Sequence, residues 1–396
     1  MKKYNIPQLT KDVFSVGVKD WNRRMFDALI PLPQGTTYNC YFIKGKEKTA
    51  QIDTVNPGFE GELIQKIDQI SDVKNIDFLI MNHAEPDHAG SIPVIMSESK
   101  KAMLITTEKG AKMAQTFFDI QDNRIKIVKD GEKLDLGGKT LQFISAPWLH
   151  WPETMFTYLI EDKILFPCDF FGAHTATGIY DDDVDDLIFF AKRYYGEIMM
   201  PFNRMGNNAM EKIKDLKIEM IAPSHGPIYK NPKKIMDVYK KWTKGETEEK
   251  AIIIFVSMWK STEKMINAIT ETLLSNNIKV SKFDLTNADI GDIARELVDS
   301  KAVVLGVPTV LGGMHPLGIY ASYLVKALRP PLKYAVVLSS FGWGGGAIRQ
   351  VSEILGPSGL EIVGTVDING PPKDSDYQKI LELGNQLVEK IKNKIL

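Results

Sequence analysis

The chain has 396 residues, 44% apolar and 25% charged, with 49 basic side chains against 50 acidic ones. That length suits two ordinary domains, and the composition is that of a packed globular chain rather than a disordered or fibrous one. The near-balanced charge excludes a whole-molecule field for nucleic acid or anionic membrane, and no aromatic-interleaved Lys/Arg stripe supplies a local one.

The opening MKKYNIPQLTKDVF has two lysines with no apolar stretch behind them, so it does not read as a secretory signal. Eight strands are predicted in the first half, at 36–44, 48–53, 76–82, 103–107, 140–146, 155–160, 163–169 and 218–223, with helices at 60–70 and 108–118. Turn signals such as Asp130–Gly131 and Gly137–Gly138 interrupt them. This grammar predicts mixed or antiparallel sheets covered by helices.

At 241–250 the run KWTKGETEEK is charged and lacks apolar periodicity, which reads as a linker. Beyond it, short apolar runs at 251–257, 279–285, 302–308, 334–340 and 361–367 alternate with amphipathic stretches at 262–275, 291–299, 317–328, 346–356 and 375–395. Five strands with intervening helices predict a doubly wound parallel sheet, with ligands bound at the carboxyl ends of its strands. The longest near-continuous apolar run, Ala251 to Trp259, is far short of the roughly 20 residues a membrane helix needs. Cys40 and Cys168 form no CxxC pair, which argues against a disulfide framework, a Cys-bound zinc or an iron–sulfur centre and fits a reducing cytoplasm.

The strongest local signal follows the predicted strand 76–82: His83, Glu85, Asp87 and His88 fall within six residues, and Pro86 argues against a regular helix through them. Three more candidates sit at or just past strand ends: His150, Asp169 and His225. A lone His or Asp there is usually a satisfied turn residue, and His150 by itself carries little. The 83–88 cluster is different, because so many ionisable groups packed together without a cation suffer desolvation and like-charge repulsion. Four imidazoles and three carboxylates suffice for two metals with three ligands each and one shared carboxylate. The acidic run from Asp181 to Asp186 reads as a solvated loop with no ligand role.

In the second half, Ser257, Met258, Trp259, Lys260, Ser261 and Thr262 join a strand to a helix, the arrangement in which backbone N–H groups, hydroxyls and the helix dipole attract a monophosphate. Neither GxGxxG nor GxxxxGK[ST] is present, which argues against a dinucleotide or a nucleoside triphosphate. Two further loops leave the same sheet edge. Pro308, Thr309, Val310, Leu311, Gly312 and Gly313 form one; Ser340, Phe341, Gly342, Trp343, Gly344 and Gly345 form the other. Their glycines let the backbone approach a flat ring, and Trp343 offers a stacking face.

The first half is similar to the metallo-β-lactamase fold, whose zinc hydrolases carry HxHxDH where this chain has HxExDH. With Glu85 as the third residue the run resembles the flavodiiron (A-type flavoprotein) family, and an added carboxylate suits iron better than zinc. SMWKST, PTVLGG and SFGWGGG resemble that family's three FMN loops, although the family tends to carry asparagine around Gly312–Gly313. The resemblance spans essentially the whole chain, with no rubredoxin-like extension read after it. It implies an α/β architecture with an N-terminal metallo-β-lactamase-like αββα sandwich at 1–245 and a C-terminal flavodoxin-like doubly wound parallel sheet at 250–396.

The same resemblance implies that His83, Glu85 and His150 hold one iron, that Asp87, His88 and His225 hold the other, and that Asp169 bridges them. His174 and Tyr195 resemble residues that face the open side of the metals and supply a hydrogen bond or proton. The implied activity is four-electron reduction of O2 to water, with FMN and two non-haem irons as cofactors. Reduced coenzyme F420 or rubredoxin is the implied donor; the archaeal, F420-using members look most similar. A head-to-tail homodimer is implied, compatible with a dimer of dimers. Three rivals stay open: the same enzyme reducing nitric oxide, a zinc hydrolase with an accessory flavin domain, and a non-catalytic flavin carrier or redox sensor.

Overall fold

The computed structural model describes residues 3–392. Contacts divide it into two compact units: the chain to Tyr195 with Phe202–Thr243, and Gly196–Pro201 with the chain from Lys244 onward. The connecting segment is shorter than the charge pattern at 241–250 suggests. Buried Trp242 lies in the helix Pro232–Thr243, and Lys250 opens a strand with its ammonium 2.5 Å from Glu296 and 2.8 Å from Asp299.

The first unit holds two sheets. One runs in spatial order Gln8–Thr10, Val13–Ser15, Tyr41–Lys44, Thr49–Ile52, Phe78–Ile80, Met103–Thr106 and Ile125–Ile127. Its first four strands pair antiparallel and its last four parallel. Parallel neighbours need crossovers, and these are the helices Glu60–Ile70, Ile92–Glu98 and Glu108–Phe118. The second sheet runs Lys133–Asp135, Thr140–Ser145, Met155–Leu159, Ile164–Phe166 and Met220–Ile221, with only its last pair parallel. Alternate residues of both sheets, such as Tyr41, Ile43, Ile52, Ile80 and Ile105 against Leu141, Phe143, Met155, Leu159 and Phe166, meet in one core. The layering is the expected αββα sandwich.

Three local expectations differ from what forms. The predicted strand 36–44 is two strands, Thr36–Tyr38 and Tyr41–Lys44, broken at Asn39 and Cys40. There the Asn39 backbone N–H bonds the Ser224 carbonyl at 2.8 Å, and its side-chain amide bonds the carbonyls of Pro223 and Gly226 at 3.0 and 2.7 Å. Backbone and side chain are therefore tied to the loop that carries His225. Secondly, Pro86 opens a one-turn helix, Pro86–Ala89, that carries Asp87 and His88; proline is tolerated at the first helical position because its missing N–H would be unpaired there anyway. Lastly, the acidic run is partly ordered, with Asp181–Asp183 in a 3-10 turn whose Asp183 accepts the N–H groups of Ile179 and Tyr180.

The second unit is one parallel sheet in the order Lys279–Asp284, Lys250–Phe255, Ala302–Gly306, Tyr334–Phe341, Glu361–Asn369. Every residue of Lys250–Phe255 is buried, as expected of a strand covered on both faces. Helices Ser261–Ser275 and Asp374–Ile391 supply Met265, Ile269, Leu273, Leu383 and Leu387 to the core on one face. The predicted reach of the last helix to 395 lies outside the described residues. Strand order reverses beside Lys250–Phe255, so a crevice opens past the carboxyl ends of that strand and Ala302–Gly306. No helix among the described residues is long and apolar enough to cross a membrane.

Candidate metal and flavin sites

Every predicted metal ligand of the first unit arrives in one cavity. His83, Glu85, His150 and Asp169 offer donor atoms within 4.8 Å of one another, and so do Asp87, His88 and His225. Asp169 faces both groups. Its Oδ2 lies 3.5 Å from Nε2 of His83 and 3.5 Å from Nε2 of His150, while its Oδ1 lies 2.9 Å from Nε2 of His88 and 3.4 Å from that of His225. Glu85 Oε2 sits 3.2 Å from His83 Nε2 and 3.0 Å from His150 Nε2; Asp87 Oδ2 sits 3.3 Å from His88 Nε2 and 3.1 Å from His225 Nε2. Donor atoms that share an ion at about 2.1 Å stand roughly 3.0–3.4 Å apart, so these spacings suit coordination.

The residues fit metal ions on a second count. Both Asp87 oxygens, both His88 ring nitrogens and Asp169 Oδ1 are buried without a hydrogen-bond partner. His88 Nε2 and Asp169 Oδ1 stand 2.9 Å apart without being aligned for a hydrogen bond. Burial alone would depress the His88 and His150 pKa values, yet the surrounding carboxylates hold both up at about 9. Protons on the imidazoles thus stand in for cationic charge, and metal binding must displace them.

The outer ring of contacts orients the ligands. His83 Nδ1 donates to Glu153 Oε1 at 2.6 Å, and His225 Nδ1 donates to the Thr37 carbonyl at 2.6 Å, which leaves each Nε2 lone pair for the cavity. Glu153 escaped the sequence reading: it lies in a turn, and nothing in WPET distinguishes it from a surface acid. His174 is buried beside the site, its ring 4.9 Å from His225, its Nδ1 2.9 Å from Thr36 Oγ1 and its Nε2 unpartnered. The tyrosine that faces it is Tyr194, 4.7 Å away edge-on and 5.8 Å from His225, with its hydroxyl unpartnered. Tyr195 turns the other way, packs on Tyr239 and Trp242 and donates to Asn203. Successive residues of a helical turn point about 100° apart, so two adjacent tyrosines cannot share a face.

In the second unit the three predicted loops meet around one cavity, lined by Ser257, Met258, Trp259, Ser261, Thr262, Pro308, Thr309, Ser340, Phe341 and Gly342. Gly370 and Pro371, from a fourth loop that sequence reasoning missed, complete it. Thr262 Oγ1 and Ser340 Oγ, 2.9 Å apart, tie the first loop to the third. Lys260 has a left-handed backbone and precedes the helix Ser261–Ser275, so that helix's N-terminus opens at the cavity. The second loop is a hairpin, Thr309–Val310 against Gly313–Met314, whose turn residues Leu311 and Gly312 both have positive φ. Gly342 and Gly344 face open space that a side chain would occupy. An amide-rich helix start, paired hydroxyls and a glycine-cleared rim fit a flavin mononucleotide. Lys260, Val310, Leu311, Gly312, Gly313, Gly344 and Gly345 belong to these loops without lining the cavity, and neither does Trp343, which stands 84% exposed.

Comparison with known proteins agrees with this geometry. A family model described as ODP family beta lactamase matches residues 36–226, and a flavodoxin model matches 253–384. The chain is 37% identical to a nitric oxide reductase of Moorella thermoacetica, over 97% of this chain and 98% of that one. It is 33% identical to a coenzyme F420H2 oxidase of Methanocaldococcus jannaschii, over 99% of each. The solved structure of the flavodiiron protein from Giardia intestinalis superposes with a TM-score of 0.92 at 27% identity, covering 100% of both chains.

Two outcomes follow for the sites. His83→Ala or Asp169→Ala should lose iron by elemental analysis, by more than the roughly 10–100-fold cost of disturbing an outer partner, while bound FMN stays near wild type. Full iron content in either variant would remove that residue from the ligand set. Alanine at both Ser261 and Thr262 should weaken FMN by about 3 kcal/mol, roughly 100-fold, since hydrogen bonds to a charged group are worth about 1.5–3 kcal/mol each. Riboflavin, which lacks the phosphate, should bind almost unchanged; equal losses for both flavins would exclude the phosphate role.

Proposed function

Because the chain belongs to the flavodiiron protein family, we propose that it is an FMN- and diiron-dependent oxidoreductase in which the domain at 1–245 reduces O2 to water with electrons received through the domain at 250–396. The observation that carries this reading is the placement of Asp169, whose two oxygens face two different sets of three donors in one largely buried cluster. Glu85 in the position of a second histidine makes that cavity harder and more anionic, which favours a redox-active iron pair over zinc.

When bound, reduced FMN and the diferrous pair supply two electrons each, matching O2 + 4 e⁻ + 4 H⁺ → 2 H2O. The chain's own residues bind and orient the cofactors and manage protons. Burial, reinforced by neighbouring His225, holds the His174 pKa well below its ordinary value, so its ring stays neutral with its buried Nε2 unpartnered. Burial and the nearby Asp169 raise the Tyr194 pKa, so its phenol keeps its proton. A neutral imidazole beside a protonated phenol is suited to donate hydrogen bonds and pass protons to oxygen. Tyr194 takes the role that Tyr195 holds by sequence resemblance alone.

The second reading, reduction of nitric oxide (2 NO + 2 e⁻ + 2 H⁺ → N2O + H2O), is favoured by the relative from Moorella and uses the same residues. Reduced coenzyme F420 or rubredoxin is the electron donor, as the names of homologues support. The protein is cytoplasmic, a placement supported by its two free, buried cysteines. It acts as a head-to-tail homodimer. Trp259, Leu311 and Trp343 around the flavin cavity are 84%, 93% and 84% exposed, an apolar rim that a second copy would cover.

Anaerobic reduction by each donor, followed by separate exposure to O2 and NO, tests the activity. We expect O2 consumption well above that of free FMN; reoxidation no faster than free flavin defeats the reading, and faster NO turnover selects the alternative. Subunit exchange tests the pairing. A His83→Ala chain mixed with a chain unable to bind FMN should regain oxygen reduction, because each mixed dimer places one intact flavin against one intact iron pair. Verified exchange without recovery would rule out transfer between chains.

A further inference from the structure

We propose that Glu153 is a positioning residue that makes the two halves of the metal centre electronically unequal, so that the iron held by His83 keeps its ferric state to lower potential than the iron held by His225. The inference rests on the iron-pair reading above.

Glu153 is 2% exposed, and its Oε1 accepts two hydrogen bonds, from His83 Nδ1 at 2.6 Å and from the Ala84 N–H at 2.8 Å. Its second oxygen is buried with no hydrogen-bond partner, so its charge is shared with little else. Trp151 packs edge-on against the same imidazole, 5.1 Å away and perpendicular, and shields the pair. A short bond to a carboxylate in a dry environment pulls the Nδ1 proton and makes Nε2 a stronger donor.

The other half has no equivalent. His225 Nδ1 donates to a neutral carbonyl, Thr37 O, with the Thr36 hydroxyl 3.3 Å away. His88 Nδ1 has no partner. The buried carboxylate of Asp53 accepts the Asn82 N–H at 2.8 Å and hydrogen-bonds neither imidazole. The shared Asp169 aside, the His83 half has Glu85 within the cavity and Glu153 hydrogen-bonded behind its histidine; the other half has Asp87, and the buried Asp53 acts on His88, and less on His83, only through space. Extra negative charge stabilises Fe³⁺ over Fe²⁺. With irons held in both halves, His88 and His225 would leave theirs the easier one to reduce, and His83 with Glu153 behind it would hold the other ferric longer.

The test is an anaerobic potentiometric titration of the iron- and FMN-loaded protein, with Mössbauer spectra of the half-reduced state, on wild type, Glu153→Gln and Glu153→Asp. Glutamine keeps the shape and the hydrogen bonds but removes the charge. We expect two resolved iron couples in wild type. In Glu153→Gln the lower couple should shift upward with the upper one nearly unmoved, and iron affinity should fall about 10–100-fold. Glu153→Asp should restore the wild-type gap. Should glutamine bind no iron, retention of both iron and gap by aspartate still supports the charge as the operative feature. Irons that reduce together in wild type, a gap unchanged in Glu153→Gln, both couples shifting equally, or the same collapse in both variants each overturn the inference. A wild-type protein that binds no iron pair instead defeats the functional reading beneath it.

Discussion

Three carboxylates and four imidazoles face one another in a cavity from which water is nearly excluded. Such a group is stable only if cationic charge joins it, and that requirement organises the first unit. The carboxylates must be ionised to serve as ligands, so each is placed where imidazoles surround it. The imidazoles must present Nε2, so the Nδ1 side of His83 and of His225 is taken by an acceptor. Those acceptors are fixed in turn, Glu153 by the Ala84 N–H and Thr37 by its strand, which pairs with Val18–Asp20. A loop too mobile to hold these partners would let the like charges separate instead of bind.

How much of this was legible in the sequence depends on locality. His83, Glu85, Asp87 and His88 betray themselves because no ordinary turn gathers so many ionisable groups. The parallel sheet of the second unit was legible because a strand buried on both faces, such as Lys250–Phe255, reads as an unbroken apolar run. The N-terminal strands were not: Met25–Phe26 and Ile30–Pro31 have two residues each, too few for an alternation to show. Yet that hairpin sets the Phe26 ring 4.9 Å from His174 and 5.9 Å from His225, as part of the wall of the site. Tyr194 and Tyr195 are indistinguishable in a string of letters; only the phase of the helix chooses between them.

The flavin loops show the same division. Strand, loop and helix were visible, and so was the edge at which they gather, but the hairpin in the second loop was not. A two-residue turn with both φ values positive ordinarily announces itself by Asn-Gly. Here Leu311 holds the first position at φ 50° with its side chain almost wholly in solvent. A leucine in the left-handed region costs about 1 kcal/mol or more. The turn persists because its neighbours over-determine it: Gln350 accepts the Met314 N–H at 2.6 Å, and the Thr309 hydroxyl accepts the Ala347 N–H at 3.3 Å.

The tie between Asn39 and the 223–226 loop bears on the order in which the centre can be made. During synthesis the chain emerges from its amino end, so His83, Glu85, Asp87 and His88 appear first, then His150, then Asp169. By that point one set of donors is complete in covalent terms. The other waits for His225, whose loop is received by a strand break at Asn39 that has long since left the ribosome. A nascent chain that stops short of His225 lacks the full donor set, so the second group of three donors cannot assemble until that residue has been made. The hydrogen bonds from Asn39 to Ser224, Pro223 and Gly226 bring that last donor across the gap, so the second set is complete only when these two distant segments meet.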